Sequence, residues 1–201
     1  MNEISTFLTS RIDAGDFPSA VYLVAEKGEV VRHEALGFAV VEPERIEARL
    51  DTIYDLASLT KVLVTGLLMA RLIEGGKLTI EDKVSGLLRE FDESDITVSE
   101  LVTHTSGLPA WRPLYLDLER GTLPAARVSA FIAKLPLAGS VVVYSDLGFV
   151  LLQNVVEKAC PKPLNEFFTA EVADTLGLRD TFFNPPAERR HRIAASEKGN
   201  E

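Results

Sequence analysis

Two apolar segments separated by a two-residue turn, Ala20–Ala25 and Val30–Phe38 about Lys27-Gly28, constrain this chain more than anything else in it. They read as a β-hairpin. A lone hairpin is marginal in water and needs more strands or a helix packed on it. One such helix precedes it: Ile4, Phe7, Leu8 and Ile12 recur at helical spacing, and Gly15 with Pro18 closes the element. Pro43 and the charged residues to Arg49 read as a surface loop. After that the signals are mainly helical. A helix is expected from Ser58 to Ile73, apolar on nearly every face and so buried all round, with Gly75-Gly76 as its stop. Short helices are expected from Thr79, with Asp82 in a capping-box position, and from Thr97, with Glu100 in the same role. Val128–Leu135 reads as a further helix, Val141–Tyr144 as a short extended run, and Leu147–Ala159 as a strongly apolar helix. Two strands with this many helices make a lopsided inventory, so strands completing the sheet are expected beyond Glu201.

Composition narrows the function. With 21 basic and 30 acidic residues the net charge is −9, and binding to nucleic acid, which depends on neutralising phosphates, is not expected. The one basic cluster, Arg189-Arg190-His191-Arg192, is expected to solvate a surface loop. Cys160 is the only cysteine, so no intrachain disulfide can form. The N-terminus lacks the basic and apolar regions of a secretory signal. The longest apolar stretch, Val62–Ile73, is interrupted by Thr65, Gly66 and Arg71 and is too short for a transmembrane helix. The chain as it stands is expected to be cytoplasmic, or periplasmic or extracellular if translation starts upstream.

Two groups of residues carry chemistry. Ser58 and Lys61 stand at i and i+3, one helical turn apart, so a lysine amine can reach a serine hydroxyl. Serine is a weak nucleophile until a base takes its proton, and a lysine kept neutral by desolvation is such a base. The helix start also points backbone N–H groups toward developing negative charge. A Ser-x-x-Lys match arises about once by chance in a chain this long, and on the motif alone Ser58 reads more readily as an N-cap with Lys61 solvated. The second group is Tyr144-Ser145-Asp146, just before the apolar helix. Either Ser145 or Asp146 caps that helix and Tyr144 packs in the core, or the phenol shuttles a proton near Ser58 and Lys61 while Asp146 holds the lysine. His33, His104 and His191 have no metal-ligand spacing; His104 reads as a structural histidine bonded to its loop. Trp111 lines a substrate groove or packs.

Taken together, these segments resemble a known family. Asp51–Lys61, which reads Asp-Thr-Ile-Tyr-Asp-Leu-Ala-Ser-Leu-Thr-Lys, is similar to the nucleophile region of the class C β-lactamase-related serine hydrolases. Ile96–Leu108, containing His104-Thr105-Ser106-Gly107, resembles the loop signature that follows it. Tyr144-Ser145-Asp146 resembles the family's Tyr-x-Asn element, and Arg11–Leu23 the approach to its first strand. The resemblance implies an α/β (α+β) fold, an antiparallel sheet flanked by helices with an inserted helical subdomain and a site at their junction. The spans would be 1–75 for the first part of the α/β domain, 76–175 for the helical subdomain and 176–201 for a return to the first. It implies a serine hydrolase that forms an acyl-enzyme on an amide or ester (a β-lactam, a D-Ala peptide or a small ester) without metal or organic cofactor. Ser58, Lys61 and Tyr144 would be catalytic, and Asp146 and Trp111 would bind substrate. The family's third element, a Lys/His-x-Gly strand, is absent after Asp146 and is expected past Glu201, so a non-catalytic binding or regulatory module keeping the fold is the alternative. Asp146 stands where many members carry Asn. Ionised beside Lys61 it would oppose a lysine base, leaving Tyr144 as principal proton carrier, or it would face the substrate amide.

Overall fold

A computed structural model describes residues 2–91, 95–117, 125–139 and 142–196. Packing groups the chain as Met1–Leu56 with Phe183–Glu201, and Ala57–Phe182. This grouping places residues 57–75 with the helices that follow, where the sequence-based spans joined them to the hairpin.

In the first unit, helix α1 (Glu3–Asp13) is capped by Asn2, whose Oδ1 accepts from the Ser5 N–H at 2.9 Å. Strands β1 (Ser19–Glu26) and β2 (Glu29–Val40) pair antiparallel, with Leu23 opposite His33 and a register shift at Val24/Ala25. Lys27 and Gly28, at φ 51 and 88, both take the left-handed conformation that a two-residue hairpin turn matching strand twist requires. A polar anchor unseen in the sequence ties α1 to this hairpin. The fully buried Ser5 donates to Glu34 Oε2 at 2.6 Å and lies 2.7 Å from the Tyr22 hydroxyl, while Asn2 Nδ2 donates to Glu34 Oε1 at 2.8 Å. The Ser5 hydrogen bond holds the Glu34 carboxyl below its ordinary pKa.

Two expectations are corrected here. The loop expected between Pro43 and Arg49 contains β3 (Ile46–Glu47), which pairs antiparallel with β2 and gives the order β1-β2-β3; β2 outlasts β1 and its free length takes a third strand. The arginine run is not merely solvated. It forms a 3-10 turn, Ala187–Arg192, and Arg192, with a side chain 15% exposed, donates from Nε to the Asp51 carbonyl at 2.9 Å and pairs with its carboxylate at 3.2 Å. Ile193 then bridges to Ile53 in parallel.

The second unit is helical. A π-helical segment, Lys61–Gly66, runs into α2 (Leu67–Glu74). Then come α3 (Val84–Leu87), α4 (Val98–Val102), α5 (Leu114–Asp117), α6 (Ala125–Ile132) and α7 (Asp146–Ala159). A final stretch comprises α8 (Leu164–Phe168), a second π-helical segment at Thr169–Ala173 and α9 (Asp174–Leu176). Helix α7 is the centre, packing against α2, α3, α4, α6, α8 and the first π segment. Its Leu147, Leu151, Leu152 and Val155 are sealed against Leu68, Leu101 and Phe168, each such side chain contributing roughly 1.5–3 kcal/mol of apolar burial. Asn154, buried among them, donates to Ser129 Oγ at 2.8 Å and so fixes α6 on α7.

Thr97 and Glu100 form the expected capping box at the start of α4. Asp82 does reach back to the Thr79 N–H at 2.8 Å, but the pair closes a turn and the helix begins only at Val84. The helix expected over Val128–Leu135 lies three residues earlier. The segment after Ser58 is buried on one face only. Val64, Leu68, Met69 and Leu72 are inside, whereas within this span Val62 is 67% exposed and Leu63 and Leu67 are exposed too. Of the expected extended run, Val141 lies outside the described residues, and Val142–Tyr144 joins no strand. Among the described residues no helix is long and apolar enough to cross a membrane.

Candidate active site

The four residues picked from the two motifs meet within the second unit. Lys61 Nζ lies 3.1 Å from Ser58 Oγ and 2.7 Å from Asp146 Oδ1. The same ammonium stands 5.0 Å from the centroid of the Tyr144 ring and 5.7 Å from that of Phe149, within cation–π range of both. Lys61 is well covered, its side chain 16% exposed, whereas Asp146 is 43% and Tyr144 52% exposed and Ser58 is open to solvent. Within this span the cation is covered and the groups around it are more accessible.

Local backbone explains the meeting. Ala57, just before Ser58, has φ 43, a left-handed conformation that costs an alanine strain and that clusters at functional sites. The turn is closed by Thr60 N–H to the Ala57 carbonyl and Lys61 N–H to the Ser58 carbonyl, so these two amides are engaged and are not the free donors expected at the helix start. The π segment begins at Lys61 itself, and single π turns of this kind recur at functional sites because they re-aim side chains.

The partner residues come from the start of α7. Ser145 is its N-cap, accepting from the Gly148 N–H at 3.2 Å and donating to the Pro109 carbonyl at 2.7 Å. Asp146 occupies the first turn, where a carboxylate is favoured by the helix dipole, and its N–H donates to the Ala110 carbonyl at 2.8 Å. Ser145→Ala should thus lower stability by about 1–2 kcal/mol, as loss of a buried cap does, measurable as a reduced denaturation midpoint. Trp111 follows Ala110 directly with its ring more than half exposed.

His104 supports the segment from the other side. It stands at φ 59 just past α4. Its N–H donates to the Leu101 carbonyl and the Thr105 N–H to the Glu100 carbonyl, the two bonds of a Schellman motif whose left-handed position glycine usually fills. The His104 carbonyl accepts from the Val143 N–H at 3.0 Å, and its Nδ1 accepts from the Ser145 N–H at 3.0 Å. Its ring lies 4.5 Å from that of Tyr144 and 5.1 Å from that of Phe149.

Electrostatics then assign protons. Burial works to lower the Lys61 pKa, but the hydrogen bond to Asp146, the Tyr144 phenol and the charges of both outweigh it, so the amine is held above the ordinary lysine value. Of the two alternatives raised for Asp146 beside Lys61, this direction favours the one in which the carboxylate opposes a lysine base. The Ser58 hydroxyl first, and then Lys61, hold the Tyr144 phenol below the usual tyrosine value. Burial, with the Lys61 charge, depresses His104, while Asp146 opposes. Among the described residues no three His, Cys, Asp or Glu side chains group to hold a metal ion.

The sequence profile of the Beta-lactamase family matches residues 4–201. The chain belongs to the Beta-lactamase family. Its similarity to curated members extends over nearly its whole length. It is 30% identical to N-acetylmuramyl-L-alanine amidase of Bacillus subtilis, covering 98% of this chain and 50% of that protein. It is 28% identical to a putative D-alanyl-D-alanine carboxypeptidase of Escherichia coli, again over 98% of this chain and 50% of the relative. The chain thus spans about half the length of the curated relatives it matches. Among solved structures, EstCE1, a hydrolase with promiscuous acyltransferase activity, superposes with a TM-score of 0.81 at 27% identity, over 98% of this chain and 57% of that one. A class C beta lactamase gives 0.80 at 22%, over 94% and 53%, and shares the fold, a mixture of helices and antiparallel sheet.

Within this Beta-lactamase-family chain, the fold brings together Ser58, Lys61, Tyr144 and Asp146 as the sequence suggested, puts Trp111 beside Ala110, and adds Ala57 and Phe149, which the sequence did not single out. Phe149, five residues after Tyr144, was visible as an aromatic at the start of an apolar helix. Nothing in an alanine announces positive φ.

Proposed function

We propose that this chain carries the nucleophile, its proton carrier and their supporting cation for a serine hydrolase that transfers the acyl group of an amide or ester to Ser58 and then to water. The observation that carries the reading is the placement of one ammonium, Lys61 Nζ, 3.1 Å from the Ser58 hydroxyl while bonded at 2.7 Å to Asp146. A lysine so paired stays protonated, and the proton carrier is then Tyr144, whose phenol is held below its usual value by the neighbouring hydroxyl and cation. As phenolate it takes the Ser58 proton while Oγ bonds to the substrate carbonyl carbon. The resulting tetrahedral oxyanion collapses, the C–N or C–O bond breaks, and Tyr144 returns the proton to the leaving group. A water molecule repeats the cycle on the acyl-enzyme. Lys61 favours the phenolate throughout, and Asp146 keeps Lys61 charged and in place. Trp111 offers an apolar face for the substrate beside Ala110.

The substrate class rests on relatives named as an amidase, a carboxypeptidase and an acyl-transferring hydrolase, all cleaving or remaking acyl bonds. The test is covalent mapping: treat the protein containing this chain with a fluorophosphonate or a penicillin, digest it, and locate the adduct by mass spectrometry. An adduct on the Ser58 peptide is expected. An adduct on another serine, or none, rejects the reading in favour of a non-catalytic binding module. Nitrocefin compared with p-nitrophenyl butyrate then separates β-lactam from ester specificity.

A further inference from the structure

We propose that His104 is a positioning residue for Tyr144, holding the phenol against Ser58 and Lys61 through a neutral imidazole that grips the chain on both sides of it. The inference rests on the reading of Tyr144 as proton carrier, and deepens it by naming what aims that side chain.

Three observations converge. First, His104 brackets Tyr144 along the chain: its carbonyl accepts from the residue before, Val143, and its Nδ1 from the residue after, Ser145, both at 3.0 Å. Two bonds astride one residue fix that residue's backbone direction. Second, the imidazole ring lies 4.5 Å from the phenol ring at an interplanar angle of 37°, limiting how far the ring can swing. Third, His104 occupies a left-handed position, φ 59, at the end of α4, where glycine or asparagine would sit without strain. Capping the helix does not need an imidazole there; orienting the Val143–Ser145 segment does.

The arrangement dictates a tautomer. An Nδ1 that accepts the Ser145 N–H carries no proton, so the ring proton resides on Nε2. Protonation would turn the acceptor into a donor facing another donor and break the grip. The groups facing the ring are Tyr144 and Phe149 on the α7 side, with the Lys61 ammonium and the Asp146 carboxylate beyond. Burial first, and then the ammonium, disfavour a positive charge on the ring, with Asp146 opposing, and so favour the acceptor form.

The decisive comparison is between two substitutions that both suit the left-handed backbone. His104→Gly removes strain, ring and acceptor together; His104→Asn keeps an acceptor oxygen close to the place of Nδ1. If His104 only terminates α4, both variants behave like the parent. If it positions Tyr144, His104→Gly folds normally but acylates a penicillin or fluorophosphonate about 10- to 100-fold more slowly, the scale of an ångström-level misplacement, and His104→Asn recovers most of that loss. A second readout needs no catalysis. In protein carrying 13C at the tyrosine Cζ, the Tyr144 titration should move up toward the ordinary tyrosine value in His104→Gly and stay put in His104→Asn. Unchanged Tyr144 titration in the glycine variant overturns the inference, as does an asparagine variant no better than glycine. Should the glycine variant fail to fold, 15N spectra of the parent decide: a neutral ring protonated at Nε2 is required, and a proton on Nδ1 rejects the proposal. Because the titration and tautomer are read without substrate, they separate failure of this inference from failure of the hydrolase reading, which the Ser58 mapping tests alone.

Discussion

Ser58→Ala should reduce acylation by a fluorophosphonate or penicillin by about 10⁴- to 10⁶-fold, the range seen when a covalent nucleophile is removed, while leaving the fold intact. The size of the effect follows from the chemistry: an alanine methyl has no lone pair to bond to carbon. The small effect on stability follows from position. Ser58 is exposed, and its hydroxyl is one of the partners of Lys61 Nζ, which retains Asp146 at 2.7 Å. Surface substitutions of this kind usually fall within about 0.5 kcal/mol. The neighbouring motif serine gives the contrast. Ser145 is buried, caps α7 and bonds the Pro109 carbonyl, so Ser145→Ala removes a buried cap and is expected to lower stability. Probe stoichiometry by intact mass, set beside a thermal melt of each variant, checks both statements. Undiminished labelling in Ser58→Ala would remove Ser58 from its role.

The features read correctly from sequence were those in which a local rule and the tertiary environment agree. The hairpin was legible because Lys27-Gly28 supplies the two left-handed residues its turn needs and both flanks are apolar. The start of α4 was legible because Thr97 and Glu100 satisfy each other's backbone partners without outside help. Ser58 and Lys61 were legible because their spacing alone brings hydroxyl and amine within one turn. What could not be read depends on contacts distant in sequence. The anchor of α1 joins Asn2 and Ser5 to Tyr22 and Glu34, and no local pattern marks it. β3 is two residues long and exists because β2 has length to spare. The state of Lys61 was left open for a related reason: the apolar residues around it pointed to burial and Asp146 to a retained charge, and only the fold brings that carboxylate, 85 positions away, to 2.7 Å.

That carboxylate supports the second large effect. Tyr144→Phe should lower the acylation rate by about 10²- to 10⁴-fold, the usual contribution of a positioned acid–base group. Phenylalanine keeps the ring that contacts His104 and Lys61, so the loss reports on the hydroxyl. The pH profile of the parent identifies the active protonation state. With Tyr144 as phenolate and Lys61 as ammonium, the rate rises with pH as the phenol ionises and falls as the ammonium deprotonates. The two groups share one modifier. Asp146 raises the Lys61 pKa by hydrogen bond and charge, and its charge also raises that of Tyr144, opposing the lowering by Ser58 and Lys61. Asp146→Asn removes that charge, so both pKa values fall and both limbs of the profile move to lower pH together. A neutral lysine base predicts something different: the rate would climb with pH as Lys61 loses its proton, and no alkaline fall would follow from that loss in the parent or in Asp146→Asn. Steady-state acylation rates of the parent, Tyr144→Phe and Asp146→Asn across the pH range distinguish the two. An alkaline fall that moves down in Asp146→Asn, with the acid limb moving the same way, is the expected result. A rate that only rises with pH would return the proton to Lys61.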